Sequence, residues 1–147
     1  MAEALYPVFE VPSVSATSKS AERTLKPCPM FDFSTGDFVR DGANRVVYAD
    51  GKQAYMIWVD KVIRTQKNAC LSYLDIGIEA EEALSESSRA AVQTVLERTI
   101  TEALLKHPAT ERIYDFVYKW QANELELSFY VKPRSWAAFD VSLTVVK

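Results

Sequence analysis

The last third of the chain alternates apolar and polar residues with a period of two. The alternation extends over three segments, 112–120, 124–131 and 136–145. In the second and third segments the apolar positions are Leu125, Leu127, Phe129, Val131, Phe139, Val141, Leu143 and Val145. A period of two over this length predicts strands with one dry face and one wet face. Gln121-Ala122-Asn123 separates the first two segments and predicts a hairpin.

The middle of the chain has a helical period instead. A first helix is predicted to begin at Asp50, with Gln53 three residues later completing a capping box. Its apolar stripe consists of Tyr55, Trp58, Val59 and Val62. The helix is expected to end near Asn68, because asparagine tolerates the left-handed conformation found at helix C-termini. A short extended piece, Leu71–Leu74, is then expected before Gly77.

A second helix is predicted to start at Ser85 or Ser87 and to end before Pro108. Its stripe consists of Val92, Val95, Leu96, Thr99, Ile100, Ala103 and Leu104. Upstream of both helices, turn signals around Gly36 and Gly42 separate short strands. The sequence therefore predicts an α+β fold, in which two helices cover a mainly antiparallel sheet of short strands.

Residues 1–29 are predicted to form an extended N-terminal arm, and residues 30–147 a single domain. The arm contains Pro7, Pro12 and Pro27 and a Ser/Thr-rich stretch at 13–20. It also carries an apolar patch: Leu5, Tyr6, Val8, Phe9 and Val11. Two interpretations stay open, a frayed terminus or an arm that becomes ordered on a partner surface. A separate hypothesis for the whole chain is an adaptor that binds one soluble protein through this arm, in which case deletion of residues 1–27 should abolish binding.

Composition narrows the classes of partner. The 147 residues are 48% hydrophobic and 25% charged, with a net charge of −3. Phosphate binding needs clustered basic residues, so a nucleic-acid partner is not expected. No apolar run approaches the roughly 20 residues that span a bilayer, so no membrane partner is expected either. With no secretory signal at Met1, synthesis in a cytoplasm is expected, and a protein partner is favoured.

The sequence contains no strong catalytic or metal-binding pattern. His107 is the single histidine and is expected to face the negative end of the second helix. Cys28 and Cys70 lack CxxC spacing and are expected to be free thiols, so no zinc site is predicted. The dispersed glycines form no phosphate-binding loop. We therefore predict no catalytic residues, no cofactor and no metal.

Two groups of residues leave alternatives open. The carboxylates are Asp75, Glu79, Glu81 and Glu82. They suit either a solvated loop or, because carboxylate pairs perform glycoside hydrolysis, a muramidase that uses Glu79 or Glu81 with Asp75. The aromatic series Tyr114, Phe116, Tyr118 and Trp120 is expected on one side of a strand. It suits either base stacking or packing under a helix or a neighbouring subunit.

The order of short motifs resembles the baseplate wedge and sheath-initiator proteins of contractile phage tails, which have also been described as lysozyme-like. The motifs are Gly36-Asp37-Phe38-Val39, Asp50-Gly51, Ile63-Arg64-Thr65, Leu71-Ser72-Tyr73-Leu74-Asp75-Ile76-Gly77 and Pro108 followed by Arg112-Ile113. Two of them depart from the family pattern. Ile76 stands where an aromatic residue would precede Gly77, and Pro108 to Arg112 is looser than the family's Glu-Pro-Arg.

The resemblance implies a non-enzymatic structural protein of the virion, assembled in the host cytoplasm. Such a protein would join the wedge to the tail sheath at the baseplate, in a ring of copies that the resemblance puts at six. Its partners would be wedge proteins and sheath subunits, with tail tube proteins also within reach. The implied mechanism is strand sharing, in which an exposed strand edge initiates sheath assembly.

The C-terminal segment suits that mechanism, because it alternates regularly and contains no proline. The predicted partner-binding residues in it are Asp140, Val141, Ser142, Leu143, Thr144 and Val145. An ordinary internal strand is the alternative for this segment. Arg64 and Arg112 are further candidates for partner binding. In the fold that the resemblance implies, Arg112 could form an ion pair that fixes the hairpin against the wedge core, and Arg64 likewise, although each could equally be a solvated surface charge.

Overall fold

The computed structural model describes residues 25–146 as an α+β fold with antiparallel sheets and three helices. The strands are β1 (Cys28–Pro29), β2 (Phe31–Asp32), β3 (Asp37–Phe38), β4 (Tyr48–Ala49), β5 (Thr110–Trp120), β6 (Glu124–Pro133) and β7 (Phe139–Val146). The helices are α1 (Gly51–Arg64), α2 (Ala80–Leu84) and α3 (Arg89–Leu105), and Leu71–Tyr73 forms a single 3-10 turn. The α+β class agrees with the sequence, which predicted two of the three helices.

The three long strands form one antiparallel sheet in the order β5-β6-β7. The inward side chains of β6 and β7 are buried, as the alternation predicted: Leu125, Leu127, Phe129, Val131, Phe139, Val141 and Leu143. They pack mainly against buried residues of α1 and α3, including Tyr55, Val59, Ile63, Leu96, Ile100 and Leu104. The core is therefore a single layer between the helices and one face of the sheet.

Helix α1 begins where the sequence predicted, but without the predicted capping box. The Asp50 side chain makes no capping hydrogen bond. Gly51 has a φ of 49°, so the first turn lacks the regular geometry that a capping box requires. The helix ends at Arg64, earlier than expected, because Thr65 adopts an extended conformation. Asn68 does have a left-handed φ of 63°, in the loop beyond the helix.

The segment between α1 and α3 differs most from the sequence prediction. Leu71–Tyr73 is a 3-10 turn and not an extended piece, and the short helix α2 was not predicted. Helix α3 begins at Arg89 because Ser88 provides the cap, where its hydroxyl oxygen accepts a hydrogen bond of 3.2 Å from the Ala91 N–H. The predicted start at Ser85 or Ser87 was too early, since Ser85 ends α2.

A β-bulge in β5 separates the predicted aromatic series. Asp115 has a φ of 57°, and the register with β6 shifts between Tyr114 and Val117. Tyr114 therefore stacks on Tyr130 at 5.8 Å between ring centroids, and Tyr130 is 44% exposed. Phe116 instead stacks on the buried Phe129 at 5.2 Å. The prediction of one aromatic face was wrong for Tyr114, because the extra residue reverses the alternation.

The N-terminal strands form two small antiparallel pairs beside α1. Strand β1 pairs with β4, and β2 pairs with β3. The predicted arm lies mostly on residues 1–24, outside the described residues. Leu25 is partly buried and packs against the main core, and Cys28–Pro29 belongs to β1.

Candidate assembly interface

Strand β7 lies at one edge of the sheet. Its antiparallel register with β6 continues without a shift from Glu124↔Val146 to Val131↔Phe139. On its other side no strand pairs with β7 within residues 25–146. The free edge presents backbone N–H and C=O groups, which can pair with an added strand. The structure thus places predicted residues 140–145 at an edge, and their binding of a partner stays a prediction.

A groove of about 430 Å³ lies beside the C-terminal half of β7, and we call it the β7 groove. Leu143, Thr144, Val145 and Val146 form one wall. The opposite wall includes Ile63 from α1, Ile78 from the segment before α2, and Leu84 from α2. Arg64 and Glu81 are the charged residues that line it. Ile63, Ile78 and Leu143 are buried beneath it, so an extended chain next to β7 would meet the partly exposed Leu84 and Val145 together with polar side chains of the groove.

The structure brings Arg64 together with β7 but leaves Arg112 apart. Arg64 lines the β7 groove, and its guanidinium lies over the Phe33 ring at 5.1 Å from the centroid. Arg112 lies on β5 opposite Lys132, with its guanidinium 5.1 Å from the Tyr114 centroid. In the part of the chain described, neither arginine forms a salt bridge. Within the described chain the Arg112 guanidinium contacts an aromatic ring, and the suggested ion pairs of both arginines stay predictions.

Among the carboxylates after the 3-10 turn, Glu79 lacks the electrostatics of a catalytic acid. Lys67 Nζ lies 2.7 Å from Glu79 Oε1. This hydrogen bond and the positive charge lower the pKa of Glu79. A catalytic acid needs a raised pKa, so the shift has the wrong direction for the muramidase mechanism. Asp75 contributes its backbone carbonyl to a hydrogen bond from Lys106 Nζ at 2.8 Å.

His107 packs between aromatic rings at the start of β5. Its ring centroid lies 4.6 Å from that of Trp58 and 5.5 Å from that of Tyr55. The Ala109 N–H donates to His107 Nδ1 at 3.1 Å. Burial lowers the pKa of His107 and favours the neutral ring. The expected contact between an imidazolium and the helix dipole is therefore replaced by packing and a backbone hydrogen bond.

The two cysteines and the acidic residues do not form a metal site in the described region. Cys28 is half-buried, Cys70 is exposed, and both are free thiols. Between residues 25 and 146, no cluster of three or more His, Cys, Asp or Glu side chains has a geometry able to hold a metal ion. The same residues contain no helix whose length and apolar character would allow it to span a bilayer.

The sequence did not indicate the wall of the β7 groove opposite β7. Ile63, Ile78 and Leu84 come from three separate parts of the chain. Each is a single apolar residue in a segment where apolar residues also serve the core. Only the tertiary packing of α1 and α2 beside β7 brings them together, so periodicity carries no signal for this site.

The comparison with protein families decides the class of protein. A family model described as the contractile injection system sheath initiator matches residues 29–135, more than half of the 147 residues. The chain belongs to this family. Membership supports a structural, sheath-initiating role in a contractile injection system, with sheath and baseplate components as partners and a location in the tail. Curated proteins provide no match to this sheath initiator.

The matched residues include β2 to β6, all three helices and the second residue of β1, but not β7. The family match therefore covers the helices and strands against which β7 packs. The proposed role of β7 rests instead on the strand order and on the geometry of the β7 groove.

Proposed function

We propose that this sheath initiator joins the baseplate wedge to the tail sheath and starts sheath assembly at the β7 edge. The first sheath subunit adds an extended segment to β7 and lays its side chains in the β7 groove. The edge of β7, which pairs with no further strand within residues 25–146 and lies beside a groove of mixed apolar and polar lining, is the observation that carries this proposal. Addition of a strand to a sheet edge is a known mode of protein recognition, with backbone hydrogen bonds for affinity and pockets for specificity.

The energetics require both the edge and the groove. Ordering four residues of a flexible segment costs about 4–8 kcal/mol of backbone entropy. Burying two side chains of leucine size contributes about 3–6 kcal/mol. Burial in the groove therefore roughly balances the entropy cost, and backbone hydrogen bonds to β7 of about 0.5–1.5 kcal/mol each supply the net affinity.

The wider setting of the proposal is the baseplate of a phage tail. Wedge proteins, sheath subunits and tail tube proteins are the proposed partners, and copies of the chain form a ring of six within a virion assembled in the host cytoplasm. The role is structural and not enzymatic, supported by family membership and by the lowered pKa of Glu79. Arg64 is proposed to contact the sheath from the groove, and Arg112 to contact the wedge from β5.

A charge placed in the groove tests this function. Val145→Lys introduces an ammonium group on the inner side of β7, where it would oppose an incoming strand. Val117→Lys is the matched control, because Val117 is 50% exposed on β5 at the other edge of the sheet. Sheath assembly on baseplates is counted by electron microscopy. We expect few sheathed tails with Val145→Lys and normal numbers with Val117→Lys, whereas normal numbers with both variants would overturn the proposal.

A further inference from the structure

The loop of residues 67–77, between α1 and α2, exposes three large apolar side chains. Leu71 is 89% exposed, Leu74 53% and Ile76 38%. Leu71 belongs to the 3-10 turn and Leu74 follows it directly, and a spacing of three residues in such a turn puts two side chains on the same side. Exposed apolar residues grouped in one short segment indicate a contact with another molecule.

Backbone contacts close the neck of this loop. The Lys67 N–H donates to the Ile78 carbonyl at 3.0 Å, and the Ile78 N–H donates to the Thr65 carbonyl at 2.9 Å. Gly77 has a φ of 116°, and a Cβ there would lie 2.5 Å from the Thr65 oxygen. Only glycine fits this approach. The loop therefore has the closed ends of an Ω-loop, and we refer to residues 67–77 by that name.

Two lysine side chains brace the Ω-loop in addition to the backbone contacts of its neck. Lys67 pairs with Glu79, and Lys106 at the end of α3 donates to the carbonyl of Asp75 at 2.8 Å. A segment that is already held in place loses less conformational entropy when it binds. The Ω-loop backbone that carries Leu71 and Leu74 is therefore held in place before a partner binds.

We propose that Leu71 and Leu74 insert into an apolar pocket of the same sheath subunit that adds its strand to β7. This proposal rests on the proposed function, because it names a second contact with the same partner. The argument is continuity between the two surfaces. Thr65 and Ile78 form the neck of the Ω-loop and also line the β7 groove. A subunit whose strand occupies the groove therefore lies against the neck.

The charges of the Ω-loop define the chemistry of the pocket. Lys67 and Asp75 are the charged residues of the Ω-loop, and the Lys67 ammonium is paired with Glu79. Phosphate groups and anionic lipid surfaces are bound through clusters of lysine and arginine, which the segment around Leu71 and Leu74 lacks. The pocket on the sheath subunit is therefore apolar and uncharged, with room for two leucine side chains.

Binding of the full chain to purified sheath protein from the same injection system tests the contact. We expect Leu71→Ser/Leu74→Ser to weaken binding by about tenfold or more, the loss typical of buried anchor residues. Leu105→Ser is the matched control, because Leu105 is 47% exposed at the end of α3. We expect that control to bind like the unmodified chain, with an unchanged Tm for all variants.

Val145→Lys, measured in the same assay, separates this inference from the proposed function. Weakened binding by both Val145→Lys and the leucine variant supports both. Loss with Val145→Lys but unchanged binding of the leucine variant overturns the Ω-loop contact and leaves strand addition intact. Loss with the leucine variant alone supports the Ω-loop contact and overturns strand addition at β7.

Alkylation of the exposed Cys70 provides a test without substitutions at the interface. Cys70 precedes Leu71, and half-buried Cys28 serves as the internal reference thiol. We expect saturating sheath protein to slow alkylation of Cys70 relative to Cys28. An unchanged rate overturns the inference. Slowing by phosphatidylglycerol vesicles and not by sheath protein also overturns it, since it would indicate a lipid contact.

Discussion

The two edges of the main sheet differ in regularity. Strand β7 pairs with β6 over its whole length without a register shift, whereas the β5–β6 pairing has two shifts. Strand β5 is also fastened to the helices through its side chains. Tyr118 donates to the Gln93 carbonyl of α3 at 3.2 Å, and burial raises the pKa of Tyr118 to about 12, so its hydroxyl stays protonated.

This difference shows how one sheet can have an edge that is fastened to the helices and an edge whose geometry suits strand addition. A bulge changes the direction of the backbone groups that an added strand must meet, and it increases the local twist. The bulge at Asp115 therefore makes the β5 edge a poor template for strand addition. Strand β7 has no bulge between Phe139 and Val146, and the β7 groove lies beside it.

Phe129→Ala in the central strand is expected to have the largest effect, because β6 supports both edges. Phe129 is buried and stacks on Phe116. Its truncation leaves a cavity, and we expect the free energy of unfolding to fall by about 3–5 kcal/mol. Urea denaturation provides the measurement, with Ser128→Ala as the control on the opposite face of the same strand. A loss below 1 kcal/mol would show that the sheet is not one cooperative layer.

Tyr55→Phe is expected to lower the free energy of unfolding by weakening the attachment of β5 to α1. The hydroxyls of Tyr55 and Thr110 share a buried hydrogen bond of 2.7 Å between α1 and the first residue of β5. Without its partner, the Thr110 hydroxyl is left unpaired, at a cost of about 1–3 kcal/mol. The double variant Tyr55→Phe/Thr110→Val should recover part of that loss in urea denaturation. Additive losses would indicate that the two groups do not interact.

Asp115→Val tests the bulge that distinguishes β5 from β7. A β-branched residue is strained at a φ of 57°, and the left-handed region costs about 1–2 kcal/mol for such residues. Asp115→Gly is the matched control and should be close to neutral, because glycine adopts this conformation freely. Thermal unfolding of both variants measures the difference. Equal stability of the two variants would contradict the bulge geometry.

Lowering the pH should loosen the start of β5 with little effect on β7. The pKa of His107 is lowered in the folded chain, so the unfolded chain binds the proton more readily. The contribution of neutral His107 to stability is complete above the unfolded pKa of about 6.5 and decreases as the pH falls below it. His107→Asn should reduce this pH dependence, measured by urea denaturation between about pH 7.5 and 5. An unchanged pH profile would show that His107 is not buried as described.

The sequence predicted the dry faces of the long strands and of α1 because their burial follows a simple period. Leu127 and Val141 on strands and Val59 on α1 lie in the core as the pattern indicated. The bulge escaped prediction because Asp115 between two aromatic residues also fits perfect alternation. The left-handed conformation of one residue decides which face Tyr114 occupies, and it leaves no periodic signal.

The candidate interface was predicted in part. The alternating, proline-free C-terminal segment pointed to β7 as an edge strand, which the strand order shows. The groove and the Ω-loop were not predicted. Ile63, Ile78 and Leu84 are brought together only by long-range packing, and the exposure of Leu71 contradicts what its apolar side chain suggests.

Amide hydrogen exchange at both sheet edges, with and without sheath subunits, tests the central claim most directly. Strand addition at β7 predicts that sheath subunits slow the exchange of those amides between Phe139 and Val146 that point away from β6. The amides of β5 should exchange at the same rate in both samples. Slowed exchange in β5 with no change in β7 would contradict assembly at the β7 edge.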